Sequence, residues 1–269
     1  MIELAPHNKQ GLAVGAPLIA GSGAVGFGDA WPPGVTPAHF GAIVTTPISR
    51  TPVRGAPQPR LVELPGGFLL TTGVHNPGYR RVLREHAPNW TKLGVPVLVA
   101  LAGSTPEDWP DLAARLEDQE GVAGIELSIG ETADLTDVRA TLRAARRATT
   151  LPLLVKLPVT WAEPLAEECA AAEADALVIG IPPTAAYPAA DGALVHGAVA
   201  GPIALPFTLR ALRAVVALGL GLPVVAAGGI CCVEDARLCL ETGATAIQVR
   251  SLLWTNPAAV ARLAGGLEC

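Results

Sequence analysis

Pro223-Val-Val-Ala226-Ala-Gly228-Gly229-Ile230, followed after a helical stretch by Ala246-Ile-Gln-Val249-Arg250-Ser251, decides how this chain is read. Each half is a short apolar run of strand length that ends in small or polar residues. Near-continuous apolar runs are what strands buried on both faces look like, which is the parallel-sheet situation. Working back from this pair, six more runs have the same character. They are Pro17-Leu-Ile-Ala20, Ala42-Ile-Val-Thr45, Val95-Pro-Val-Leu-Val-Ala100, Gly124-Ile-Glu-Leu-Ser128, Leu153-Leu-Val-Lys-Leu157 and Ala176-Leu-Val-Ile179.

Helical stretches separate most of these runs. They cover residues 135–148, 162–174, 206–218 and 233–241, and a shorter one lies around 79–87. Another is expected to start at Thr105-Pro-Glu-Asp108, with Thr as cap, Pro at the first position and acids in the first turn. Strand and helix in alternation predict an α/β protein, and eight strands predict a single (β/α)8 TIM barrel over residues 1–269. The competitor is an open doubly wound sheet, because Gly21-Ser-Gly23-Ala-Val-Gly26 has GxGxxG spacing. The following stretch, 27–37, carries three prolines and cannot form the long helix that such a turn needs. One region breaks the alternation. Residues 50–78 form a long Pro- and Gly-rich insertion after the second strand, which places it over the catalytic face of a barrel. The stretch after strand six, from Gly192 through His196 to Pro202, reads as a mobile loop or lid.

Composition removes several function classes. Half of the residues are apolar, 16% are charged, and the net charge is -5. No basic run is longer than the pair Arg146-Arg147, which reads as a solvated helix face, so no nucleic-acid partner is expected. No apolar stretch is long enough to cross a bilayer and no signal peptide is evident, so a cytoplasmic location without a membrane partner is expected. The cysteines at 169, 231, 232, 239 and 269 have no metal-site spacing, and no metal is expected. Cys169 and Cys239 read as core residues. Cys231 and Cys232 read as packing at a helix start, or as reactive thiols if the helix end activates them.

Chemistry is expected at the ends of the strands. Gly228 and Gly229 let a backbone approach a ligand closely, and Arg250 and Ser251 can add a guanidinium and a hydroxyl to the same anion. A phosphate after strands seven and eight is the usual arrangement in such barrels. Lys156, mid-strand, reads either as a cation beside an electron-rich cofactor edge or as half of a buried ion pair with Glu126. Glu131 and His75 are candidate acid/base groups, with a solvated helix-preceding acid and a surface loop histidine as the alternatives.

Taken in order, these segments resemble the dihydroorotate dehydrogenase family, in particular its soluble FMN-binding branch. The likeness runs from Ala20-Gly-Ser-Gly23 and Gly41-Ala-Ile-Val-Thr45 through Pro59-Arg60-Leu61-Val62-Glu63 and Gly73-Val-His-Asn-Pro-Gly78. It continues through Ala102-Gly-Ser-Thr-Pro-Glu107, Val155-Lys-Leu157, Ala200-Gly-Pro202, Gly228-Gly-Ile230 and Gln248-Val249. The resemblance implies a barrel with FMN across the strand ends. It implies cofactor contacts from Ser22, Gly23, Thr45, Thr46, Ser128, Lys156, Gly201, Gly228, Gly229, Arg250 and Ser251, and a substrate contact from Asn76. It also implies a homodimer and a small-molecule substrate.

The departures bear on substrate. Thr46 stands where the family has a lysine, Ser128 where it has an asparagine, Glu131 where it has the cysteine or serine base, and Arg250 where it has a glycine. A site that has lost several hydrogen-bonding partners of a pyrimidine disfavours that pyrimidine strongly. The expectation is therefore an FMN-dependent oxidoreductase that passes hydride between flavin and a changed small cyclic substrate. The alternatives are a non-catalytic flavin-binding relative and a barrel that holds another phosphate ligand.

Overall fold

The computed structural model describes all residues except Ser104, Pro106, Glu131–Ala133 and Glu268–Cys269. Its centre is a closed barrel of eight parallel strands, and that closure overturns the open doubly wound alternative. In chain order the strands are β1 (Leu18–Ala20), β2 (Ala42–Val44), β3 (Val97–Leu101), β4 (Val122–Ser128), β5 (Leu153–Pro158), β6 (Ala176–Ile181), β7 (Val224–Ala227) and β8 (Ala246–Val249). β8 pairs with β1, Gln248 beside Ile19, and this closes the ring. The GxGxxG stretch after β1 leads into a turn and then a short 3-10 segment, Pro37–His39.

Side chains along each strand alternate between two apolar compartments. Leu18, Ile43, Val99, Leu127, Val155, Ile179, Ala226 and Ile247 point outward into the layer beneath the helices. Ile19, Val44, Leu98, Leu154, Val178 and Val225 point inward and fill the barrel. An antiparallel pair that the sequence pattern did not reveal, Ile2–Glu3 with Ala13–Val14, closes the N-terminal end. Its neighbours Leu4, Ala5, Leu12 and Val14 pack into the inner cluster. Asn8 ties this plug to the strand starts by hydrogen bonds to the Thr150 carbonyl at 3.2 Å and to Asp175 at 3.1 Å.

The helices are α1 (Tyr79–Glu85), α2 (Asp108–Leu116), α3 (Leu135–Ala148), α4 (Ala162–Ala171), α5 (Leu205–Ala217), α6 (Val233–Glu241), α7 (Ser251–Thr255) and α8 (Ala258–Gly266). In α3 the Asp134 carboxylate caps the amides of Thr136 and Asp137, and Val138, Leu142 and Ala145 recur on the buried face. α2 begins at Asp108, later than the Thr105 start expected. There the Thr105 amide donates to the Asp108 carboxylate at 3.0 Å, which ties the chain before the helix to its first turn, and no side chain caps the helix amides. The Arg146-Arg147 pair is not a uniform solvated face. Arg147 is exposed, but Arg146 bonds Asp175 at 2.9 Å and the Leu151 carbonyl at 2.9 Å, joining α3 to the strand starts.

Over the C-terminal face the insertion has structure of its own. Leu61–Leu64 and Gly67–Leu70 form a hairpin within it, and Thr184–Pro188 and Leu194–Ala200 form another after β6. The two hairpins join into a four-stranded antiparallel sheet, with Ala198 beside Leu70 and Ala200 beside Phe68. The stretch expected to be a mobile loop is thus a ladder-bonded strand, and Val62, Leu69 and Val199 form its small core. Gly201 follows at φ +88°, and a Cβ there would stand 3.0 Å from the Gly67 Cα. That contact fixes the end of the second hairpin against the first.

Candidate active site

Three polar side chains stand inward at the C-terminal end of an otherwise apolar barrel. Glu126 on β4, Lys156 on β5 and Gln248 on β8 each occupy an inward position, because their strand neighbours Ile125, Leu127, Val155, Leu157, Ile247 and Val249 lie in the outer layer. They form one closed network. Lys156 Nζ donates to Glu126 Oε1 at 3.3 Å and to Gln248 Oε1 at 2.8 Å, and Gln248 Nε2 donates to Glu126 Oε2 at 2.6 Å. The buried ion pair with Glu126 that the sequence allowed is therefore present. Burial pushes the Lys156 ammonium below its usual pKa, the charge of Glu126 opposes that shift, and the nearby Arg250 adds to it. An ammonium has three donors, so one Lys156 N–H remains for an acceptor in the mouth.

Two residues beyond Gln248 the alternation brings Arg250 to the mouth. Its guanidinium lies 5.6 Å from the centre of the Trp254 ring. The Trp254 indole is itself pinned by a 3.2 Å hydrogen bond to the Ala24 carbonyl. Desolvation lowers the Arg250 pKa, and the charge of Glu126 raises it.

The loops after β1 and β2 are stitched together. Ser22 Oγ and the Gly23 amide both donate to the Thr45 carbonyl, at 3.1 and 3.3 Å, and the Thr46 amide donates to the Gly26 carbonyl at 2.7 Å. The Thr45 hydroxyl is fully buried and accepts the Ala100 amide at 3.1 Å, so it serves the wall. Ser128 is the register neighbour of Lys156.

Gly228 and Gly229 turn the chain at the end of β7 with φ of +107° and +82°. A Cβ on Gly229 would lie 2.1 Å from the Leu205 amide nitrogen at the start of α5, so only glycine allows this approach. Neither glycine amide has an acceptor among the described residues. The Ser251 hydroxyl likewise donates to no described acceptor. Buried backbone donors are almost always paired, so these amides are candidates to meet an acceptor from outside the chain.

Other candidates lie apart from this cluster. Asn76 is buried, and its Oδ1 accepts from the Ser49 amide (3.2 Å), the Ser49 hydroxyl (3.0 Å) and the Gly78 amide (2.9 Å). Its Nδ2 donates to the Val74 carbonyl at 2.8 Å, so the side chain holds the insertion's own turn. His75 is exposed, with Nδ1 3.0 Å from the Arg54 carbonyl. Glu131 lies outside the described residues. Cys231 Sγ contacts the Gly229 carbonyl at 3.3 Å, and burial pushes its thiol up to about 11, which argues for packing. Cys169 and Cys239 are buried, as expected of core residues, and Cys232 is exposed. Among the described residues no cluster of three or more side chains could hold a metal, and no helix is long and apolar enough to cross a membrane.

The dihydroorotate dehydrogenase family profile matches residues 7–269. The chain belongs to the dihydroorotate dehydrogenase family. Its similar curated relatives include the catalytic subunit of dihydroorotate dehydrogenase B (NAD(+)) of Pelobacter propionicus, 34% identical over 97% of this chain and 91% of that one. The corresponding subunits of Desulforudis audaxviator and Geobacter sulfurreducens are 33% and 34% identical, each over 96% of this chain and 89% and 90% of theirs. The family is one of oxidoreductases. The member of this polar network that sequence reasoning missed is Gln248. The motif Gln248-Val249 marks its position, but nothing in the motif shows an amide that joins Lys156 to Glu126. A signal exists in the alternation: Glu126, Lys156 and Gln248 each sit between two outward apolar residues of their strand.

Proposed function

We propose that this chain is an FMN-binding oxidoreductase barrel acting on a small cyclic substrate that differs from the one its relatives are named for. One observation carries the reading. Free amides at Gly228 and Gly229 and a spare Lys156 N–H stand at two sides of one mouth, on β7 and β5. That donor set suits a molecule with a phosphate at one end and an electron-rich ring at the other. The residues present therefore fit FMN. Gly228, Gly229 and Ser251 would hold its phosphate, and Lys156 and Ser128 would face its ring.

When bound, FMN supplies hydride transfer at its N5. The chain's own groups bind and orient. Glu126 and Gln248 hold Lys156 in one position, and the Glu126 charge opposes the burial that would deprotonate it. The loop pair tied at the Thr45 carbonyl sets the wall beside Ser22 and Gly23. The paired hairpins cover the mouth and limit water. Glu131, three residues past Ser128, is proposed as the proton carrier, and its location in sequence supports that role. Departures at Thr46, Ser128 and Glu131 support a changed substrate. Because the named relatives are catalytic subunits, a second subunit as partner and electron acceptor is part of the proposal, together with self-association into a dimer.

The test is the absorption spectrum of freshly purified protein, followed by FMN titration. A yellow protein that bleaches on reduction is the expected result. A colourless protein that takes up no added FMN refutes the reading. Glu131→Gln should then lower turnover about 10²–10⁴-fold while FMN stays bound.

A further inference from the structure

Among the described residues, the mouth holds more positive charge than it balances. Lys156 and Arg250 are cationic, and Glu126 is the one described carboxylate whose charge reaches both. Glu126 is fully buried and both of its oxygens are taken, Oε1 by Lys156 and Oε2 by Gln248. Arg250 is left with no hydrogen-bond acceptor and no salt bridge among the described residues. Its fixed contact is the Trp254 ring, which orients the guanidinium without using its N–H groups. A half-buried cation without a hydrogen-bonded anion among the described residues is poorly compensated. The five donors of a guanidinium match two oxygens of a carboxylate or phosphate in a planar fork. The free amides of Gly228 and Gly229 stand on the adjacent strand β7, so the donors of neighbouring strand ends share this deficit of acceptors.

We propose that Arg250 is the oxyanion-recognition residue of the barrel mouth, taking the phosphate or carboxylate of the molecule bound there. The cofactor version of this inference rests on the flavin reading above, and the carboxylate version does not. Trp254 preorganises the guanidinium, so the side chain acts as a fixed receptor and its position in the mouth is part of binding. Gln248 and Glu126 take two of the three Lys156 donors, whereas the Arg250 guanidinium keeps its whole fork free among the described residues.

The test is isothermal titration of the full chain and of Arg250→Gln, Arg250→Lys and Arg250→Gly. The probes are FMN, riboflavin, inorganic phosphate, and the pair benzoate and benzamide. Phosphate recognition predicts that Arg250→Gln loses FMN affinity about 10- to 100-fold while riboflavin is unchanged. Carboxylate recognition predicts the same loss for benzoate and not for benzamide, with FMN unaffected. Arg250→Lys should fall between Gln and the parent, because it keeps charge and loses the fork. If the parent binds neither flavin but loses phosphate or benzoate binding in Arg250→Gln, the flavin reading fails and this inference stands. Equal anion binding by the parent and Arg250→Gln overturns it. So does tighter FMN binding by Arg250→Gly, which would mean that the side chain fills the site. If a variant does not fold, competition by added sulfate against these anions on the parent protein takes its place, and no competition overturns the inference.

Discussion

The two ends of this barrel are made from the same eight strands and behave as opposites. At the N-terminal end, inward Ile19, Leu98, Leu154 and Val225 meet the plug residues Leu4, Leu12 and Val14 in a dry apolar cluster. Its polar neighbours are paired, as Arg146 is with Asp175 and Asn8 with Thr150. At the C-terminal end the inward positions turn polar at Glu126, Lys156 and Gln248, and beyond them donors outnumber acceptors. The inner floor is apolar and its polar neighbours are paired, whereas the mouth keeps donors that have no acceptor among the described residues. The difference teaches that stability and binding are segregated along one axis, so perturbations at either end should separate cleanly.

The largest effect should come from the seam between the ends. Glu126→Ala leaves Lys156 buried without its carboxylate and should cost about 3–5 kcal/mol in urea unfolding. The double change Glu126→Leu with Lys156→Met should restore most of that stability while removing the ligand donor, and failure to restore it would break the idea that the pair is locally self-contained. Lys156→Met leaves the fully buried Glu126 without its ammonium, so it should also cost about 3–5 kcal/mol, and it should weaken ring binding about tenfold, read by flavin fluorescence quenching. Next comes the floor. Leu98→Ala should cost about 2–5 kcal/mol through the cavity it leaves, with FMN or anion affinity unchanged within twofold. A matching loss of affinity would show that the two ends are coupled.

A pH series sharpens the same comparison. Burial raises the Cys231 thiol to about 11 and the Cys239 thiol to about 12, with the charge of Asp235 adding to both. The folded chain then keeps protons that the unfolded chain releases above about 9, so this contribution is intact below that pH and is lost as pH rises toward 11–12. Cys239→Ala should flatten the alkaline limb of the stability curve. The smallest effect is expected of Cys231→Ser with Cys232→Ser, which should leave turnover within twofold. A tenfold loss would give those thiols a role beyond packing.

Much of the fold was legible because apolar runs of strand length have few other uses. All eight strands, α3 and α6 fall where period and capping put them. The plug escaped because two-residue strands carry no readable period. The second hairpin read as a mobile loop because residues 184–196 are mostly exposed and gain order from a partner strand far away in sequence. At the mouth, residue type and strand position put Lys156 on a strand and Gly228, Gly229 and Arg250 at strand ends, and that is where the structure has them. Asn76 was not legible, because a motif letter does not reveal that four hydrogen bonds have spent the side chain on its own turn.

The sequence by itself determined the barrel, since hydrophobic period and strand count admit few closed arrangements. It also placed glycines and cations at the ends of the right strands. Only the tertiary structure decided which of those groups still had donors to offer. Pairing is a property of three-dimensional neighbours: Gln248 and Glu126 meet across 122 residues of chain, and the Arg250 guanidinium at the mouth is left without a hydrogen-bonded partner among the described residues.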